Sequence, residues 1–145
     1  MKIGKFEIEH LSEGIFEAFE DGSFQKVDSE TITGSFEDSY GTNLTAKIGI
    51  DPILIKTGKQ NILVDTGLGW GLDSKSSYLN TSNLKTNLDI FGITPEDITH
   101  VVLTHLHFDH AGGSTYVDDS TSTQPTLPYA NYFVQKKNGH LLYNK

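Results

Sequence analysis

The sequence predicts one domain of mixed α/β class, a β-sheet carrying few helices. Three observations predict it. Short apolar, β-branched runs bounded by turn residues recur up to Val64, as in a set of hairpins. A helical period then stands between two strand-like runs, and strand, helix and strand in succession argue for a layered sheet rather than a bundle. Finally, four of the six histidines, His100, His105, His107 and His110, fall between positions 100 and 110, and the apolar run Val101-Val102-Leu103 leads directly into the last three.

The elements follow in order. Ile3, Phe6 and Ile8 alternate with Lys5, Glu7 and Glu9, which suits a half-exposed first strand. Gly14 to Phe19 reads as its partner, and Asp21-Gly22 as a turn. Ser23 to Thr45 is polar with few apolar anchors, a long excursion or flap whose plainer reading is a surface loop. Ile48, Ile50, Ile53, Leu54 and Ile55 give a strand that Asp51-Pro52 interrupts, marking an edge or a bulge. Gly58-Lys59 turns the chain, and Asn61 to Val64 returns as the second strand of a hairpin.

Asp65 begins the turn Asp65-Thr66-Gly67, where it has two readings. It is a turn former before glycine, or it accepts a hydrogen bond from the second nitrogen of a ligand histidine. Gly67, Gly69 and Gly71 lack the lysine and the spacing of a phosphate-cradling loop; they let the backbone pass close to a neighbour. Trp70 lines a substrate entrance or packs in the interior. Ser82 to Phe91 has Leu84, Leu88 and Phe91 on one helical face, with Thr81 or Ser82 to cap it and Gly92 to end it. Thr94-Pro95-Glu96-Asp97 opens a short helix with a cap residue, a proline and two acids. His100 to Leu103 is a strand. Ser114 to Pro128, rich in Thr, Ser, Asp and Pro, reads as a surface loop near the site. Asn131 to Gln135 is a strand, and Asn138-Gly139 a turn.

Composition narrows the function. A chain of 145 residues is long enough for one domain with a core. Eleven basic against 19 acidic residues, a net charge of -8, give no basic stripe for nucleic acid. With no cysteine there is no disulfide, no thiolate nucleophile and no thiolate ligand. No stretch approaches a membrane span and the start lacks a signal-type apolar run, so a cytoplasmic protein without a membrane partner is expected.

The chemistry concentrates in Thr104-His105-Leu106-His107-Phe108-Asp109-His110-Ala111-Gly112-Gly113. Residues two apart in an extended chain point the same way, so His105 and His107 can converge on one ion. Asp109 and His110 follow where the strand gives way to a loop, free to turn towards a second. Imidazole suits zinc, iron or copper, and a carboxylate admits harder ions or a bridging role. Burying four such groups without a metal would leave several polar atoms to satisfy at once. His100, alone beside the apolar strand, reads as a core residue.

This decapeptide resembles the metal-binding loop of the metallo-β-lactamase-fold hydrolases, and Phe108-Asp109-His110-Ala111-Gly112-Gly113 is most similar to the lactone-hydrolysing, quorum-quenching branch. Ile62-Leu63-Val64-Asp65-Thr66-Gly67 resembles that family's strand and turn whose aspartate supports the ligands. Pro128 to Lys136 resembles the segment after the metal loop, so the likeness runs from about Ile48 to about Lys136. The resemblance implies an αβ/βα sandwich of which residues 1–145 form the N-terminal αβ half, a single truncated domain. It implies His105 and His107 on one metal, Asp109 and His110 on a second, Asp109 also as the catalytic residue, and Asp65 behind the ligands. The cofactor implied is zinc, two ions in a complete site, with iron or manganese as alternatives. A hydroxide between the ions would attack a carbonyl of lactone, ester, thioester or lactam type in a small-molecule substrate.

The family also supplies a further histidine, a bridging aspartate and a last histidine from a second half that this sequence does not match; His140 has different surroundings. The expected chain is therefore incomplete alone, needing a complementing C-terminal half or a homo-oligomer. Two other readings compete: a non-catalytic metal-binding or interaction fragment with half a site, and an iron-dependent oxidoreductase of the same fold. Di-iron members carry glutamate where His107 stands, which counts against the latter. A nuclease would bring basic surface that is missing here.

Overall fold

The computed structural model describes residues 1–20, 24–27, 44–69, 84–117 and 120–139. Strands β1 (Lys2–Ile3) and β2 (Phe6–His10) form the opening hairpin. β2 then pairs antiparallel with β6 (Ile53–Lys56), not with the next strand in sequence. That next strand, β3 (Gly14–Phe19), lies between β4 (Phe24–Lys26) and β5 (Leu44–Ile50) in a separate three-stranded sheet. The expected pairing of Gly14–Phe19 with the first strand is thus corrected. Residues 11–13 carry the chain from one sheet to the other. Leu11 is buried in one apolar cluster and Phe16 in the other, and burying both requires the crossing.

Two further expectations change around the same sheet. Part of the polar stretch from Ser23 to Thr45 is strand, at Phe24–Lys26 and from Leu44, while residues 28–43 lie outside the described residues, as does the Asp21-Gly22 turn. Asp51-Pro52 is more than an irregularity. It is the junction where the chain leaves β5 in the small sheet for β6 in the large one.

The large sheet has the order β1-β2-β6-β7-β8-β11, with β7 spanning Asn61–Val64, β8 His100–Leu103 and β11 Asn131–Val134. The hairpin β6–β7 forms as expected, closed by a tight return in which the Thr57 N–H donates to Gln60 O at 2.9 Å. β7, β8 and β11 run parallel. Between β7 and β8 lie α1 (Leu84–Ile90) and a 3-10 turn at Pro95–Asp97. Leu84 and Leu88 are buried on the predicted face of α1 and Phe91 packs beside them; Thr81 and Ser82 lie outside the described residues. After β8 come α2 (Phe108–Ala111), a 3-10 turn at Gly112–Ser114, and the hairpin of β9 (Thr115–Val117) with β10 (Thr123–Pro125). Ser114 to Pro128 is therefore not plain loop. Cross-strand hydrogen bonding holds its hairpin without an apolar period, and Leu127, fully buried, anchors it to the core. Asn138-Gly139 ends α3 (Lys136–Gly139), a single helical turn rather than an isolated reverse turn.

The main core joins Leu54, Leu63, Val101 and Leu103 of the sheet to Leu84, Leu88 and Ile98 above it. Strand alternation sends Val101 and Leu103 inward and Val102 to the opposite face. There Val102 and its register partner Phe133 stay 39% and 52% exposed. Among the described residues no helix is long and apolar enough to cross a membrane.

Candidate metal centre

The register of two parallel strands builds the centre. Ile62 pairs with His100 and Val64 with Val102, so Asp65 leaves the end of β7 beside the end of β8. Ligand sites in such sheets form at the carboxyl ends of strands. The Asp65 N–H donates to Val102 O at 3.0 Å, and Asp65 takes a left-handed φ of 58° that turns the chain back towards β8. Its carboxylate then accepts from the Thr104 N–H at 2.8 Å, from the Thr104 hydroxyl, and from His110 Nδ1 at 2.8 Å. A carboxylate can only accept, so Nδ1 of His110 carries a hydrogen towards Asp65, and the ring turns its other nitrogen, Nε2, to the Asp109 side.

The loop after β8 brings the other groups together. His107 is extended at the start of α2, and the His110 and Ala111 amides donate to His107 O. This single turn swings Asp109 back towards the two preceding histidines. His105, His107 and Asp109 offer ligand atoms that all lie within 4.8 Å of one another. The His105 ring stands 4.5 Å from that of His107 and 4.0 Å from that of His110. Asp109 Oδ2 lies 3.4 Å from His110 Nε2, so the carboxylate faces both the His105–His107 pair and His110. Three imidazoles and a shared carboxylate are donors that suit zinc, iron or manganese, and they fit the implied metal. His100 sits at the far end of β8, stacked on Phe133 and bonded to Thr99, away from this cluster.

The glycines meet the backbone-contact expectation. Gly67 bridges Ala111, the Gly113 N–H donates to Gly67 O at 3.0 Å, and the Thr66 N–H donates to His110 O at 2.7 Å. A Cβ on Gly69 would overlap the Gly112 carbonyl, and one on Gly113 the Thr66 carbonyl. Trp70, Gly71 and His140 lie outside the described residues. A cleft of about 140 Å³ opens beside Asp65, Asp109 and His110, walled by Gly49, Ile50, Asp51 and Pro52 of the sheet junction and by Gly67. Its size takes a ring or an acyl group rather than a whole drug-sized ligand.

Residues 49–144 match the family described as the Metallo-beta-lactamase superfamily. The chain belongs to this superfamily. Its sheet with few helices is that fold in part. A metallo-β-lactamase relative, the N-acyl homoserine lactonase AiiB of Agrobacterium fabrum, is 36% identical over 86 residues, half of this chain and 31% of that protein. The structure of a probable metal-dependent hydrolase from Staphylococcus aureus superposes with a TM-score of 0.72 at 28% identity, over all of this chain and 52% of its own. AidC, a dizinc quorum-quenching lactonase solved with its product, gives 0.68 at 25% identity, over all of this chain and 47% of its own. The chain thus spans about half the length of these metallo-β-lactamase-fold structures and less of the curated relative.

Sequence reasoning missed three residues here. Thr104 stood in the motif without a role, yet it clamps Asp65 from 39 positions away. Asp51 stood as part of a strand interruption, yet it walls the cleft. Glu13 had no place in any sequence motif, yet it is fully buried beneath the Thr66–Gly69 segment. Only an acid set between Leu11 and Phe16, both core residues, could have signalled the last.

Proposed function

We propose that this chain carries the metal-holding half of a metal-dependent hydrolase that opens a small lactone or a related ester-type carbonyl. The observation that carries the reading is the convergence of His105, His107 and Asp109 within 4.8 Å, with His110 oriented by Asp65. His105, His107, Asp109 and His110 would hold zinc, with iron or manganese as alternatives. Such ions, when bound, acidify water and polarise a carbonyl, supplying a nucleophile to a chain without cysteine. The chain's own part is to orient the ligands. Asp65 fixes the His110 tautomer, Thr104 holds Asp65, and the cleft beside Asp109 receives the reacting ring. The similarity to the lactonases AiiB and AidC supports the substrate class.

Hydrolysis of a panel of lactones and esters by the zinc-loaded protein tests this, with His107→Ala and Asp109→Ala alongside. Loss of about a hundredfold or more is expected in each variant; turnover unchanged in either would sink the site. A non-catalytic metal-binding role is the second reading, favoured by a cluster that, among the described residues, gathers three donors within 4.8 Å; it predicts weak metal binding and no turnover. The exposed Val102–Phe133 face supports a partner, either a second copy or a complementing half. Sedimentation at rising concentration should show self-association, and a strictly monomeric chain would leave only the complementing half.

A further inference from the structure

We infer that Glu13 is a positioning residue for the metal loop, acting through the backbone of Thr66 to Gly69. Its side chain is fully buried, and a buried carboxylate persists only when hydrogen-bond donors surround it. One donor is the Leu68 N–H, at 3.0 Å from Oε2. The fit is close: a Cβ on Gly67 would overlap the carboxylate, so glycine is required opposite Glu13. Glu13 itself is fixed, because its N–H donates to Ile50 O at 2.8 Å at the end of the small sheet. Asp65, Gly67 and Gly69 all have positive φ, and backbone folded this way gathers its amides into a concavity that favours an anion.

The other side of the same segment holds the candidate ligands. Thr66 donates to His110 O through both its N–H, at 2.7 Å, and its hydroxyl, at 3.1 Å. Gly67 O accepts from Gly113, at the end of the metal loop, and Asp65 holds the His110 ring. Glu13 therefore lies one backbone layer behind His110 and grips the segment that fixes both its main chain and its imidazole. Groups that orient ligands in this way change metal affinity without touching the ion.

The metal arm of this inference rests on the proposed site, whereas its structural arm does not. The test uses the full chain with Glu13→Ala and Glu13→Gln, followed by amide hydrogen exchange and by titration with cobalt(II). Expected for Glu13→Ala is at least tenfold faster exchange at Thr66, Leu68 and Gly113, with Leu54 and Leu63 unchanged. Cobalt affinity should fall about 10- to 100-fold. Glu13→Gln, which keeps an oxygen for the Leu68 N–H, should fall between wild type and alanine, and it carries the comparison if the alanine variant does not fold. A lowered melting temperature with unchanged loop exchange and unchanged cobalt affinity would overturn the inference, leaving Glu13 a structural residue only. Faster loop exchange without an affinity change would overturn it equally. If the wild type takes up no cobalt, the metal site fails as a reading; unchanged exchange at Thr66 and Gly113 would then overturn the hold of Glu13 on the loop, and faster exchange would uphold it.

Discussion

Asp65 does two jobs with one residue, turning the chain and holding a candidate ligand. It turns the chain in a left-handed conformation that aspartate tolerates better than most side chains. With the same side chain it gathers Thr104 and His110. The turn was legible in Asp65-Thr66-Gly67, and the family likeness pointed to the ligand contact. What was not legible was which histidine it holds and that Thr104 completes the clamp. Both depend on the pairing of β7 with β8, a fact about register rather than composition. Asp65→Ala should lower metal affinity about 10- to 100-fold, measured by competition with a chelating dye. Unchanged affinity would mean that His110 finds its orientation without this partner.

Elements read best where a local rule suffices. The stripe Leu84, Leu88 and Phe91 and the signature Thr94-Pro95-Glu96-Asp97 gave their helical turns directly, because caps and periodicity act within a few residues. The Asp97 carboxylate accepts from the Thr94 N–H and hydroxyl, both at 2.9 Å, and these bonds hold its pKa below the usual aspartate range. A depressed folded-state pKa contributes stability above the unfolded value and loses it as pH falls through the folded one. Urea midpoints of wild type and Asp97→Asn should therefore differ at pH 7, and the difference should shrink as pH falls below the ordinary aspartate range; a difference that does not shrink on acidification would contradict this. Sheet partnership was less legible. Gly14–Phe19 looked like a neighbour of the first strand because nothing local distinguishes one antiparallel partner from another. Two burial sites, one for Leu11 and one for Phe16, decide it.

At the scale of the molecule, the described residues form a six-stranded sheet that ends in a ligand cluster, a three-stranded sheet that walls the cleft and the β9–β10 hairpin, with an apolar face open at Val102 and Phe133. Its class was legible because hairpins followed by strand, helix and strand leave few alternatives. The two-sheet arrangement was not, since the Asp51-Pro52 junction reads the same whether a strand bulges or changes sheet. The site was legible for a different reason. Its four candidate ligands fall within six residues, so one loop brings them together whatever the rest of the chain does. Supports from afar, Glu13 and Asp51, escaped notice because only the fold carries them to that loop.

The central claim is that His105, His107, Asp109 and His110 hold metal. Elemental mass spectrometry of the chain, after zinc loading and dialysis against metal-free buffer, tests it most directly, with Asp109→Ala measured in parallel and circular dichroism confirming that both are folded. The wild type should retain zinc and Asp109→Ala should lose it. A wild type that keeps no ion, or a variant that keeps as much, would contradict the claim.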